Sequence, residues 1–150
     1  MTTPLQTRSD AGLATALRIS VSRLARRMRA QRLASALEPG LSDTQLAALA
    51  ALERHGAMTP GELADHEKVQ PPSMTRVITA LEERALVTRA AHSTDRRQVL
   101  LTATDLGKDV VHQTRRLREA WLAQRLRELT PQERALLRQA APILEKLSQS

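Results

Sequence analysis

Three consecutive residues, Asp95-Arg96-Arg97, carry the sharpest chemical signal in the sequence. Adjacent guanidiniums repel each other unless an anion or a carboxylate compensates them. Asp95 can brace one arginine by a charge-assisted bidentate bond and leave the other free. A free guanidinium at a turn suits a narrow duplex groove, where the negative potential is strongest. Turns favour charged residues in any protein, so an ordinary solvated tip is the competing reading. Upstream, Gln70, Pro72, Ser73, Thr75 and Arg76 form a second group, with Thr79 behind them. At helical spacing these side chains make one polar, hydrogen-bonding face whose helix N-terminus attracts phosphates. Arg76 suits a guanine edge or a phosphate, since its planar fork matches both. Pro71 and Pro72 fix a helix entry, and their rings also suit thymine methyl groups. The competing reading is a plain solvated helix face.

Other chemistries find little support. With no Cys among 150 residues, disulfides, thiolate metal sites and Cys nucleophiles are excluded. His55, His66, His92 and His112 show no paired ligand spacing. Glu62 with His66 at i,i+4 is a single, common coincidence, so no metal and no cofactor are expected. No Ser/His/Asp set, phosphate-binding glycine loop or paired-carboxylate motif occurs, which makes an enzyme the weakest class. Lys and Arg total 23 against 16 Asp and Glu, a formal charge of +7. That excess points to a polyanionic partner, and Arg dominance tilts it towards nucleic acid. Phe and Tyr are absent and Trp121 stands alone, so modules that stack single-stranded bases on aromatic rings are not expected. No stretch approaches the roughly 18 apolar residues of a membrane span, and no signal-peptide pattern opens the chain. No membrane partner is expected, and the chain reads as cytoplasmic.

The elements that must hold these groups follow from apolar spacing and capping residues. Residues 1–10 read as a loose tail and 11–150 as one domain. Leu13, Leu17, Val21, Leu24 and Met28 predict a helix, crowded with arginines, that runs to Glu38-Pro39-Gly40. Ser42 with Gln45, Thr59 with Glu62 and Thr130 with Glu133 are capping boxes that open further helices. Leu46, Leu49 and Ala50 face inward on the second helix, and Leu63 and Ala64 on a short third. Met74, Val77, Ile78 and Leu81 do so on a fourth, starting near Pro71. Two β-prone runs, 86–90 and 98–102, enclose the charged segment 92–97 and predict a hairpin that must lean on the helices. Thr104 caps a long helix with Val110, Thr114, Leu117 and Trp121 on one face. The last helix carries Leu136, Leu137, Ile143, Leu144 and Leu147, and Pro142 is expected to kink or divide it.

The fold class is therefore mostly α with a small β-hairpin wing. Short helices followed by a hairpin is the order of a winged helix-turn-helix, whose second helix enters a major groove. Between about Ser42 and Gly107 the chain resembles the MarR family of bacterial transcriptional regulators. The resembling segments are Thr59-Pro60-Gly61-Glu62-Leu63-Ala64, Pro72-Ser73-Met74-Thr75-Arg76-Val77-Ile78, Leu81-Glu82-Glu83 and Leu86-Val87-Thr88-Arg89. Asp95-Arg96-Arg97, Val99, Leu101, Thr104 and Gly107 complete the wing signature. The resemblance implies a winged core at about 42–104 and dimerisation helices at about 11–38 and 105–148. It implies a homodimer on a pseudo-palindromic site of double-stranded DNA. Pro72, Ser73, Thr75 and Arg76 fall at base- or phosphate-contacting positions, Arg96 and Arg97 at the wing contact, and Asp95 at the wing brace. It also implies a possible small-molecule effector in a cleft between the dimerisation and DNA-binding parts, for which Trp121 is the candidate aromatic. Two positions depart from the family: Gln70 stands where Ser or Thr usually caps, and Pro142 is unusual in a dimerisation helix.

The leading expectation is thus a sequence-specific, dimeric transcriptional regulator, with a repressor as the favoured sense. A non-specific architectural DNA binder and a partner-binding module on the same scaffold are the alternatives. The apolar residues of the two terminal helices read as dimer interface in preference to intrachain core, because a two-fold partner doubles the DNA contacts.

Overall fold

The computed structural model describes residues 8–31 and 40–149. Its elements are α1 (Asp10–Ala30), α2 (Asp43–His55), α3 (Pro60–Glu67), α4 (Pro71–Glu83), β1 (Val87–Ala91), β2 (Val99–Ala103), α5 (Asp105–Arg127) and α6 (Pro131–Ser148). Most of the expected tail lies outside the described residues, as do Arg32, Glu38 and Pro39. The expected continuation of the first helix to residue 38 lies outside the described residues. α1 closes at Ala30, where the Gln31 N–H turns back to the Met28 and Arg29 carbonyls in a tightened last turn.

Helix starts are set by local side-chain bonds. Ser42 and Gln45, Thr59 and Glu62, and Thr130 and Glu133 each form reciprocal capping boxes. In each, the hydroxyl accepts from the third-residue N–H and the longer side chain accepts from the cap N–H, at 2.8–3.2 Å. These bonds satisfy amides that a helix start otherwise leaves open.

α2, α3 and α4 pack on one another, and α2 also meets α5 and β2. Leu49, Leu63, Met74, Leu81, Leu101 and Val110 are at most 1 % exposed and form the centre of this core. β1 and β2 pair antiparallel with Val87 opposite Ala103 and Ala91 opposite Val99. The strands sit one residue later than the apolar runs predict. Met58 and Leu101 exchange backbone bonds of 3.1 and 2.8 Å, which ties the hairpin to the turn before α3. That bridge joins single residues with no pattern of their own and escapes a sequence reading.

The link from α4 to β1 is tightly built. The Leu86 N–H reaches the Leu81 carbonyl and the Ala85 N–H the Glu82 carbonyl, each at 2.9 Å. Ala85 sits at φ 57°, a left-handed conformation this helix ending requires. The Thr104 hydroxyl donates to the Ala85 carbonyl at 2.7 Å and accepts from the Gly107 N–H at 3.0 Å. Gly107 is held there by closeness: a Cβ would lie 2.3 Å from the Leu86 carbonyl oxygen.

Neither α1 nor α6 contributes a buried residue. Of the two outcomes expected at Pro142, a kink or a division, division does not occur, since α6 runs unbroken from Pro131 to Ser148. The carbonyl that loses its bond belongs to Arg138, an exposed residue.

Candidate nucleic-acid interface

α4 presents the predicted polar face. Gln70, Pro72, Ser73, Thr75, Arg76 and Thr79 are all exposed, while Met74, Ile78 and Leu81 anchor the opposite face. The helix entry is unusual. Gln70 is the N-cap but makes no side-chain cap bond. Pro71 and Pro72 have no N–H, and the Met74 N–H bonds to the Gln70 carbonyl at 3.0 Å. Ser73 therefore supplies the one unbonded amide of the first turn, beside its own exposed hydroxyl. The Thr75 hydroxyl donates to the Pro71 carbonyl at 3.0 Å, and Thr79 does the same to Thr75 at 2.9 Å. Outward, Thr75 offers a methyl group and an acceptor lone pair rather than a free donor. Among the described residues, Arg76 has no ion-pair partner, which leaves its guanidinium available.

The hairpin tip places Asp95, Arg96 and Arg97 at full exposure, the neighbourhood the sequence reading gave them. The brace works differently from the expected one. Asp95 Oδ1 accepts from the Arg97 backbone N–H at 3.0 Å, and no ion pair joins it to either guanidinium among the described residues. The carboxylate fixes the turn, which leaves both arginine heads free. His92, within the predicted charged segment but not among its expected DNA contacts, also takes part: its Nδ1 accepts from the Thr94 and Asp95 N–H groups at 3.2 and 3.3 Å. An imidazole in the place of the usual Asn or Asp acceptor gives no sequence signal. Arg89 on β1 meets Glu82 on α4 at 2.6 Å and ties the hairpin to the exposed helix. Two residues seven apart across a helix–strand turn were equally hard to pair from sequence.

Two further clusters lie behind this face. His112 and Arg115 of α5 hold the two carboxylate oxygens of Glu53 on α2, at 2.8 and 3.3 Å. The hydrogen bond from His112, then the Arg115 charge, hold the Glu53 carboxyl below its ordinary range against a smaller opposing effect of burial. A cleft of about 420 Å³ opens between α1, α2 and α5, lined by Arg29, Leu46, Thr114, Arg115 and Arg118 among others. Trp121 does not line it. The indole lies instead between Arg27 and Arg125, whose guanidinium carbons sit 5.7 and 5.6 Å from the ring centre. His55 and His66 approach to 4.9 Å between ring centres. No group of three or more metal-ligating side chains occurs among the described residues, and no described helix is long and apolar enough to cross a membrane.

Comparison with known proteins agrees with this architecture. Residues 41–99 match the MarR family. The HTH-type transcriptional regulator MT0903.1 of Mycobacterium tuberculosis is 46 % identical over 136 residues, covering 91 % of this chain and 92 % of that protein. The HTH-type transcriptional repressor MdtR of Bacillus subtilis is 31 % identical over 134 residues, covering 89 % and 84 % respectively. The crystal structure of RV1404 from Mycobacterium tuberculosis superposes with a TM-score of 0.81 at 26 % identity, covering 93 % of this chain and 94 % of that one. The first two relatives carry the names of transcriptional regulators. On its sequence and its fold together, the chain belongs to the MarR family of transcriptional regulators.

Proposed function

We propose that this protein is a homodimeric, sequence-specific repressor that binds a pseudo-palindromic operator in double-stranded DNA in the cytoplasm. One observation carries the reading: the exposed surface is divided by chemistry. The polar face of α4 and the arginine tip are free to meet a duplex. Among the described residues, nine of the ten exposed large hydrophobic side chains lie elsewhere, on α1 and α6. A second copy of the chain would cover those stripes and double the DNA contacts. Family members bind DNA as dimers, which supports the same arrangement. The repressor sense rests on likeness to MdtR. In this reading Gln70, Pro72, Ser73, Thr75 and Arg76 enter the major groove, and Arg96 and Arg97, with Asp95 holding the turn, reach the minor groove. The cleft between α1, α2 and α5, lined by Arg29, Arg115 and Arg118 together with Asp43 and Glu119, would admit a small-molecule effector that loosens DNA.

Selection of bound sequences from random duplexes tests the proposal. A preferred site should emerge as an inverted repeat, with roughly 10³-fold or greater preference over random DNA at physiological salt. Arg76→Ala should cost on the order of 1–3 kcal/mol and relax preference at one base position. A preference ratio near unity would favour charge-driven architectural binding, for which the net charge of +7 is the supporting feature.

A further inference from the structure

We propose that His92 is a positioning residue for Arg96 and Arg97, holding the hairpin tip in its DNA-ready shape through the lone pair of its Nδ1 atom. The inference rests on the DNA-binding reading above.

Residues 92–98 close on themselves. The His92 N–H donates to the Gln98 carbonyl and the Gln98 N–H to the Asp95 carbonyl, both at 3.0 Å. Two side chains lock the turn from within. Asp95 Oδ1 takes the Arg97 N–H. His92 Nδ1 takes the Thr94 and Asp95 N–H groups, with the Thr94 hydroxyl 3.1 Å away. Two amide donors aimed at one ring nitrogen require that nitrogen to carry a lone pair, so the ring proton sits on Nε2. Asn and Asp commonly play this part in turns. An imidazole differs in one respect: protonation converts Nδ1 from acceptor to donor, and the Thr94 and Asp95 amides then lose their partner. The charged groups that share the tip are Asp95, Arg96 and Arg97, and among the described residues no ion pair involves His92. Ordering the turn beforehand lowers the conformational cost of seating two arginines in a groove.

The test compares the full-length wild type with His92→Asn and His92→Ala on the duplex obtained by selection. His92→Asn keeps an acceptor at the same number of bonds from the backbone and should bind within about twofold of wild type at neutral pH. His92→Ala should bind about threefold to tenfold more weakly, with its thermal midpoint unchanged because the tip is exposed. Protonation of the ring in acid should weaken wild-type binding relative to His92→Asn, because Nδ1 then no longer accepts. Equal binding by all three proteins overturns the proposal. So does wild-type binding that strengthens in acid relative to His92→Asn, which would assign the imidazolium to direct phosphate contact. Nitrogen-15 shifts of the His92 ring decide the point without DNA: an Nε2–H tautomer at neutral pH is expected, and an Nδ1–H tautomer overturns it. Failure of the wild type to prefer any duplex would instead defeat the function proposed above.

Discussion

The leucines of α2 and α4 and those of α6 occur at the same helical spacings, yet they end in opposite surroundings. Leu49 and Leu81 are fully buried, whereas Leu136 is 65 % and Leu147 59 % exposed. α2 to β2 bury their stripes against one another and against the first half of α5. α1 touches α5 but buries nothing, and α6 makes few contacts with the other described elements. Amphipathic periodicity therefore says that a face must be covered but not by which molecule. One region satisfies the demand internally, and the other leaves its stripes uncovered among the described residues.

The strongest way to break that comparison is to charge the uncovered faces. Leu17→Glu combined with Leu144→Glu should weaken self-association by roughly 10²–10⁴-fold, from the lost apolar burial alone. Sedimentation should then find monomers whose helix content is retained, because the α2–β2 core is untouched. Unchanged association would mean that α1 and α6 are not the interface.

A smaller change attacks the internally satisfied region. Gly107→Ala should lower unfolding free energy by about 2–4 kcal/mol, since backbone cannot yield as a side chain does. The added Cβ would meet the Leu86 carbonyl and stand 3.0 Å from Leu49 Cδ1. Denaturant titration checks it, and a loss under about 0.5 kcal/mol would show that the α4–β1 junction is looser than described.

The smallest effect sharpens the boundary between the two regions. Glu53→Gln should cost at most about 1 kcal/mol at neutral pH, as expected for a partly solvated cluster. The Glu53 carboxyl is held below its ordinary range, so its contribution is complete above about pH 4.3 and fades as pH falls through the lowered folded-state value. Thermal midpoints of wild type and Glu53→Gln should therefore converge in acid. A gap that widens on acidification would contradict the assignment.

What could be read from the residues beforehand was whatever is encoded locally. A capping box closes over three residues, so Ser42, Thr59 and Thr130 announced their helices. The exposed face of α4 and the charged hairpin tip followed from periodicity and turn chemistry in the same way. Long-range pairings left no such mark: Glu53 meets its partners 59 and 62 residues away, and Met58 bridges to Leu101 through backbone alone. Asp95 was singled out as a brace, but its oxygen chose a backbone amide two residues on over a flexible guanidinium. Pro142 does not divide α6, because the residue whose carbonyl it leaves unbonded, Arg138, is exposed.

The unbroken course of α5 has a mechanical corollary. Its first turns are sunk in the core through Val110 and Val111, while Trp121 sits near the far end beside Arg27 of α1. Twenty-three residues make a rod of about 35 Å, so a swing of only ~5° at one end carries the other by about 3 Å. A small adjustment where α1 meets α5 is thus magnified into a displacement comparable to a hydrogen bond's length at the core end of the rod.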